Sequence, residues 1–126
     1  MGEGKVILLV DDDLTLREMY EERLKAEGFE IVQANNGEEA LSRAKEVKPN
    51  VIMLDIMMPK INGFDVLKEL KSDPELKDIP VIMLTALIQE VDRIQGKKLG
   101  AFDYIVKSET MPGEVIAKIK SAIGQS

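Results

Sequence analysis

Cysteine and histidine are both absent from the 126 residues. Their absence excludes disulfides, zinc sites built on Cys or His, and any mechanism that needs an imidazole. A metal held by this chain must therefore be a hard cation ligated by oxygen. Long apolar runs are missing too. Val6–Val10 and Val51–Leu54 are far too short to span a bilayer, and no signal-peptide core precedes them. Met1-Gly2 is no myristoylation start, because Val6 stands where that motif needs Ser or Thr. No membrane insertion is expected, and the lack of cysteine fits a cytoplasmic setting. Basic charge is also in deficit. A formal net charge of -6 argues against a broad nucleic-acid footprint, which needs a cationic surface to release counterions.

What is present suits one compact domain. Hydrophobic residues make up 44% of the chain, enough for a real core. Met1–Gly4 reads as a disordered leader or expression scar, and residues 5–124 as the domain. Five short apolar runs, Val6–Val10, Glu30–Ala34, Val51–Leu54, Val81–Leu84 and Phe102–Val106, alternate with amphipathic stretches. Near-continuous Val, Ile and Leu marks strands buried on both faces, as in a parallel sheet.

Helical spacing fills the gaps. Leu16, Tyr20 and Leu24 stripe a first helix stopped by Gly28. Ala40, Leu41, Ala44 and Val47 stripe a second, after the turn pair Asn36-Gly37. Phe64, Leu67 and Leu70 stripe a third. Ile88, Val91, Ile94 and Leu99 suggest a fourth, ended by Gly100, and Val115, Ile116, Ile119 and Ile123 a fifth. Gly96 inside the fourth should cost ~1 kcal/mol against Ala, which makes that helix the least rigid expected. Strands alternating with helices imply an open parallel sheet covered on both faces, with ligands beyond the carboxyl ends of the strands.

Those ends carry the chemistry. Asp11, Asp12 and Asp13 follow strand one, Asp55 follows strand three, Thr85-Ala86 follows strand four and Lys107 follows strand five. Clustered carboxylates repel one another, and a divalent cation relieves that. Mg2+ takes a few carboxylates, a carbonyl and waters, and pairs with phosphate. A carboxylate can be a nucleophile and form an aspartyl-phosphate. A lysine then supplies charge to the phosphoryl oxygens, a threonine hydroxyl supplies a hydrogen bond, and Ala86 leaves room. Asp13, at the entry to helix one, reads as its N-cap. Two apparent motifs fail: Gly4-Lys5 lacks P-loop spacing, and Leu16 occupies the glycine position of an EF-hand loop.

Asp11-Asp12, Asp55 with Met58-Pro59 beyond it, Thr85-Ala86 and Lys107 together resemble the receiver domains of bacterial two-component response regulators, over Lys5 to about Ile123. The resemblance implies a flavodoxin-like doubly wound (βα)5 sandwich, its five parallel strands in the order 2-1-3-4-5. It implies that Asp55 accepts a phosphoryl group from a phosphohistidine on a sensor histidine kinase or histidine phosphotransfer protein. Mg2+, or Mn2+, would be held by Asp12, Asp55, the Met57 backbone carbonyl and, through water, Asp11. Lys107 would pair with the phosphate, beside the backbone of Met57 and Ala86. Thr85 would move toward it, and Tyr104 would turn inward as the switch aromatic. Thr15, Met19 and Glu22, opposite the first helix's apolar stripe, would dock the kinase. Such a domain catalyses its own phosphorylation and dephosphorylation but is no conventional enzyme. It signals through the face formed by helix four, strand five and helix five, as a monomer that can dimerise when phosphorylated.

Other readings stay open. Asp11-x-Asp13-x-Thr15 also resembles the nucleophile motif of haloacid-dehalogenase-type phosphatases, with Asp11 phosphorylated and Asp13 as acid and base. That reading lacks a cap domain and later acidic ligands, and leaves Asp55 idle. A flavin binder on the same fold would want Ser, Thr and Gly after strand one. A receiver that only binds partners would not need Lys107. Two departures from the receiver pattern matter. Ser108 replaces the usual proline after the lysine, so a trans Lys107–Ser108 bond is expected. Met57 and Leu87 are apolar where the family tunes hydrolysis, so a long-lived phosphoryl state is expected. If the sequence is complete it is a stand-alone receiver; if not, an effector domain has been removed.

Overall fold

The computed structural model describes residues 4–86, 90–107 and 110–124. Element order is β1 (Val6–Val10), α1 (Leu14–Ala26), β2 (Glu30–Ala34), α2 (Gly37–Val47), β3 (Val51–Asp55), α3 (Gly63–Ser72), β4 (Val81–Thr85), α4 (Glu90–Lys98), β5 (Asp103–Val106) and α5 (Pro112–Ala122). All strand pairs are parallel, and the sheet runs β2-β1-β3-β4-β5. This is the doubly wound order that the family resemblance implies. Every residue of β3 and β4 is buried, because both strands lie inside the sheet with helices on either side.

Alternate strand residues feed two cores. Ile7, Leu9, Met53, Ile82 and Ile105 pack with Tyr20 and Leu24 of α1 and Val115 and Ile119 of α5. Leu8, Val10, Ile52, Leu54 and Met83 pack with Ala40 and Ala44 of α2 and Phe64, Leu67 and Leu70 of α3. Because side chains alternate across a strand, a one-residue slip would exchange the two sets.

Several local expectations need correction. Asp55 and Thr85 are the last residues of β3 and β4 rather than the first beyond them. Asn36-Gly37 is not a turn before α2. Asn36 is its N-cap, accepting from the Glu39 amide at 2.8 Å, and Gly37 is already helical and buried. Asn serves either role, and here capping an orphan helix amide wins. Strand β5 starts at Asp103, leaving the Phe102 side chain exposed.

Ile94 does not stripe the inner side of α4; it is 47% exposed, whereas Gly96 is buried. The reason is Tyr104. Its hydroxyl lies 2.9 Å from the Arg93 carbonyl and 3.0 Å from that of Asp92, and shares its proton between them. A Cβ at Gly96 would stand 1.7 Å from that hydroxyl oxygen. Gly96 therefore lets a tyrosine ring reach the α4 backbone. Ile88 and Leu87 lie outside the described residues, as does the Lys107–Ser108 bond.

Gly96→Ala should consequently lower the melting temperature, although alanine gains ~1 kcal/mol of helix propensity, because overpacking costs about 1–3 kcal/mol. A thermal melt of this variant beside a Gly96→Ala/Tyr104→Leu pair checks the cause. With the phenol gone, the added methyl should stabilise.

Candidate functional site

Parallel strands all end at one edge, so the residues that close β1, β3, β4 and β5 meet there. Asp11 directly follows β1, Asp55 ends the neighbouring β3, Thr85 ends β4 and Lys107 directly follows β5. Asp11 is fully buried, Asp55 is 2% exposed and Thr85 4%. These are the buried polar side chains among the described residues, and all lie at this edge.

Lys107 ties the acids together. Its Nζ lies 2.7 Å from Asp11 Oδ2 and 3.3 Å from Asp55 Oδ1. The Lys107 amide donates to the Thr85 carbonyl at 2.8 Å, which continues the β4–β5 ladder and aims the side chain back across the edge. Burial alone would pull the ammonium's pKa down, but its contacts with Asp11 and Asp55 prevail and hold it above the ordinary lysine value. Lys107 is therefore charged at any physiological pH.

Asp55 is shifted the other way. Burial first, and the Asp11 charge second, push its pKa up to about 6, against the pull of Lys107 and of the Met57 amide, which donates to Asp55 Oδ1 at 3.2 Å. The carboxylate is thus unusually basic yet mostly ionised at neutral pH.

Asp11, Asp12 and Asp55 each offer a carboxylate oxygen, all within 4.8 Å of one another. Asp12 is exposed, so the buried pair opens to solvent through it. Three carboxylates against one ammonium leave two negative charges, the charge of one divalent cation. Oxygen donors only, partly open to water, suit Mg2+ or Mn2+ and fit no soft metal.

The other expected residues fall in four groups. Met57 is 74% exposed and Ala86 also faces solvent at the same edge. Asp13 caps α1, its side chain accepting from the Leu16 amide at 3.2 Å. Thr15, Met19 and Glu22 are all exposed on α1. Tyr104 is half-buried on β5, with its hydroxyl engaged on α4.

Two residues at this edge escaped the sequence. A Cβ at Gly63 would come within 2.2 Å of the Asp55 carbonyl oxygen, so only glycine lets α3 start against the peptide after Asp55. The Asn62-Gly63 pair marks a turn but not that contact. Arg17 donates from its guanidinium to the Asp11 carbonyl, and nothing in its sequence position announces this.

Known proteins resemble this chain over nearly its whole length. A family model described as the response regulator receiver domain matches residues 7–120. The "Probable transcriptional regulator ycf27" of Cyanophora paradoxa is 47% identical over 119 residues, covering 94% of this chain and 48% of that protein. The phosphate regulon transcriptional regulatory protein PhoB of Pseudomonas aeruginosa is 41% identical over 120 residues, covering 95% of this chain and 52% of that one. The chain thus spans about half the length of these curated relatives. Among solved structures, the chemotaxis protein CheY4 of Vibrio cholerae superposes with a TM-score of 0.88 at 30% identity, covering 94% of this chain and 98% of its own.

The raised Asp55 pKa has a stability consequence in metal-free protein. Between the ordinary 3.8 and about 6, the folded chain binds more protons than the unfolded one, so stability falls as pH rises through that window. Asp55→Asn, which carries no such cost, should be more stable than the parent above pH ~6, by on the order of 2 kcal/mol, and the gap should close toward pH ~4. Urea titrations with a chelator at several pH values measure it. A gap that widens on acidification would contradict the assignment.

Proposed function

The chain belongs to the response regulator receiver family, and from that premise we propose that it is switched by phosphorylation at Asp55. The observation that carries this is the convergence of Asp55 and Asp11 on Lys107, at 3.3 and 2.7 Å, at the carboxyl edge of the sheet. A carboxylate oxygen of Asp55 attacks the phosphorus of a phosphohistidine on a histidine kinase or histidine phosphotransfer protein. An O–P bond forms, the N–P bond breaks, and the imidazole leaves with its electron pair. Lys107 neutralises charge on the transferring oxygens, the Thr85 hydroxyl takes one of them, and the Met57 and Ala86 amides line the remainder.

Asp12, Asp55 and the Met57 carbonyl would hold Mg2+ or Mn2+ directly, with Asp11 behind a water. The cation's contribution is to offset charge on the acids and the phosphoryl group together. Asp11 is better suited to that outer position, since its oxygens already face Lys107 and the Asp13 amide. The same engagement disfavours the phosphatase reading. Asp11 would have to be the nucleophile there, while Asp13, its acid and base, is occupied in capping α1.

In this reading Thr15, Met19 and Glu22 meet the phosphodonor, and a change at Thr85 and Tyr104 alters the α4–β5–α5 face shown to an effector. The protein acts in the cytoplasm, as a monomer when unphosphorylated and able to dimerise when phosphorylated. Among the described residues no helix is long and apolar enough to cross a membrane. The domain is a signalling module that turns over its own phosphoryl group rather than a conventional enzyme.

Peptide mapping after treatment with an acyl phosphate and Mg2+, then borohydride reduction, tests the acceptor. The label should lie on Asp55 and vanish in Asp55→Asn; a label on Asp11 would overturn the reading. Met57→Asn, by giving a hydrolytic water a hydrogen-bond partner, should shorten the lifetime of phosphoryl Asp55 severalfold. A lifetime equal to the parent's would count against the long-lived state.

A further inference from the structure

The carbonyl of Asp11 occupies an unusual position in the sheet. The Asp11 amide still donates to the Ala34 carbonyl of β2 at 3.2 Å, so the ladder is intact up to that point. In a parallel ladder the next bond would run from the amide of Asn36 back to the Asp11 carbonyl. The chain has already left the sheet there, since Asn36 caps α2. Arg17, one turn into α1, takes that carbonyl with its guanidinium. The same guanidinium donates through Nε to Gln33 Oε1 at 2.9 Å, and the Gln33 amide donates to Glu21 Oε2 at 2.8 Å. The fork is thus fixed from the edge strand and from α1 at once.

The peptide that Arg17 holds joins Asp11 to Asp12. Asp12 is exposed and sits on a bend between β1 and α1, so its direction depends on the backbone that carries it. We infer that Arg17, locked by Gln33 and Glu21, is a positioning residue for divalent-cation binding: it sets the Asp11–Asp12 peptide so that the Asp12 carboxylate meets those of Asp11 and Asp55. The inference rests on the reading of the acidic edge as a cation site. Outer partners that orient metal ligands commonly carry tenfold to hundredfold effects on affinity.

Electrostatics and positioning make opposite predictions, which gives the test its sign. A guanidinium beside a cation site repels the cation, so removing it should tighten binding if charge were its only effect. Positioning demands the reverse. Mn2+ affinity, read from the free-ion electron paramagnetic resonance signal, should weaken about tenfold or more in Arg17→Met. It should also weaken in Gln33→Leu, which changes no charge. Arg17→Lys, which keeps the charge but not the fork, should not restore it. Amide hydrogen exchange at Asp12 and Asp13 in metal-free protein should accelerate in the same variants. Acyl-phosphate labelling of Asp55 at saturating Mn2+ should return to near the parent rate, since the defect lies in occupancy. Affinity in Gln33→Leu within twofold of the parent, or tighter binding in Arg17→Met, would overturn the positioning role alone. A parent chain that takes up no Mn2+ would overturn the cation reading of the acidic edge, and the inference with it. Should Arg17→Met not fold, Gln33→Leu and Arg17→Lys decide the matter by the same criterion.

Discussion

One ammonium group, Lys107 Nζ, stands between two buried carboxylates, and the arrangement of the whole edge follows from that contact. Burying two like charges side by side is costly, and an unpaired buried charge more so. The sheet makes the pairing possible only over distance. Lys107 follows β5, Asp55 ends β3 and Asp11 follows β1, so the lysine must cross β4 and reach beyond β3. Strands sit roughly 4.8 Å apart, so three spacings amount to about 14 Å. A long flexible stem crossing above a strand end, together with the sheet's twist and the reach of the aspartates themselves, closes that gap. A shorter cation could not do so, and the buried, compact Thr85 at the end of β4 leaves the path open.

Much of this was legible because parallel strands announce their own ends. Val6–Val10 stops at three acids, and Val81–Leu84 stops at Thr85-Ala86, so apolar runs and polar terminators together mark both the strands and the edge. The strand order followed from resemblance rather than from periodicity, and the hydrogen-bonded ladder agrees with it. What the sequence did not reveal shares one character. Arg17 acts on a carbonyl of another element, Gly63 on the peptide after Asp55, and Gly96 on a side chain from β5. Each is a contact between backbone and a distant group. Hydrophobic periodicity records which face of an element is buried, but it says nothing of such contacts.

Helix α4 shows the same limit from the other side. By spacing, Ile94 belonged to an inward stripe, yet it faces out and Gly96 faces in. A helix normally adheres to a sheet through large apolar side chains. Here a described inward position carries no side chain, and the Tyr104 ring fills the space. The Tyr104 oxygen meets the carbonyls of Asp92 and Arg93 and also feels the amides of Gly96 and Lys97. Those four groups are two rungs of the helix's own i to i−4 ladder. The hydroxyl thus grips backbone rather than side chains. A contact of this kind binds strongly when aligned and is lost altogether when the ring rotates, because hydrogen bonds weaken steeply with angle. Apolar packing degrades gradually instead. An all-or-none contact suits the switching of this face proposed above.

The two ends of the molecule's polar machinery therefore differ in how their cost is met. At Tyr104 each polar atom finds a partner inside the protein. At the acidic edge the charges do not balance: Lys107 supplies one positive charge against three carboxylates, and burial and the Asp11 charge raise the Asp55 pKa to about 6 against the lysine's pull. Replacing the edge with apolar residues would remove the cost, so its persistence within an otherwise well-packed sheet has no structural rationale. The residual charge has the sign and size that a divalent cation offsets. The elevated basicity of Asp55 comes from its burial and from the Asp11 charge beside it. The raised Asp55 pKa arises from a buried acid pair that the fold compensates only in part, and the exposed Asp12 beside it brings the residual charge to two.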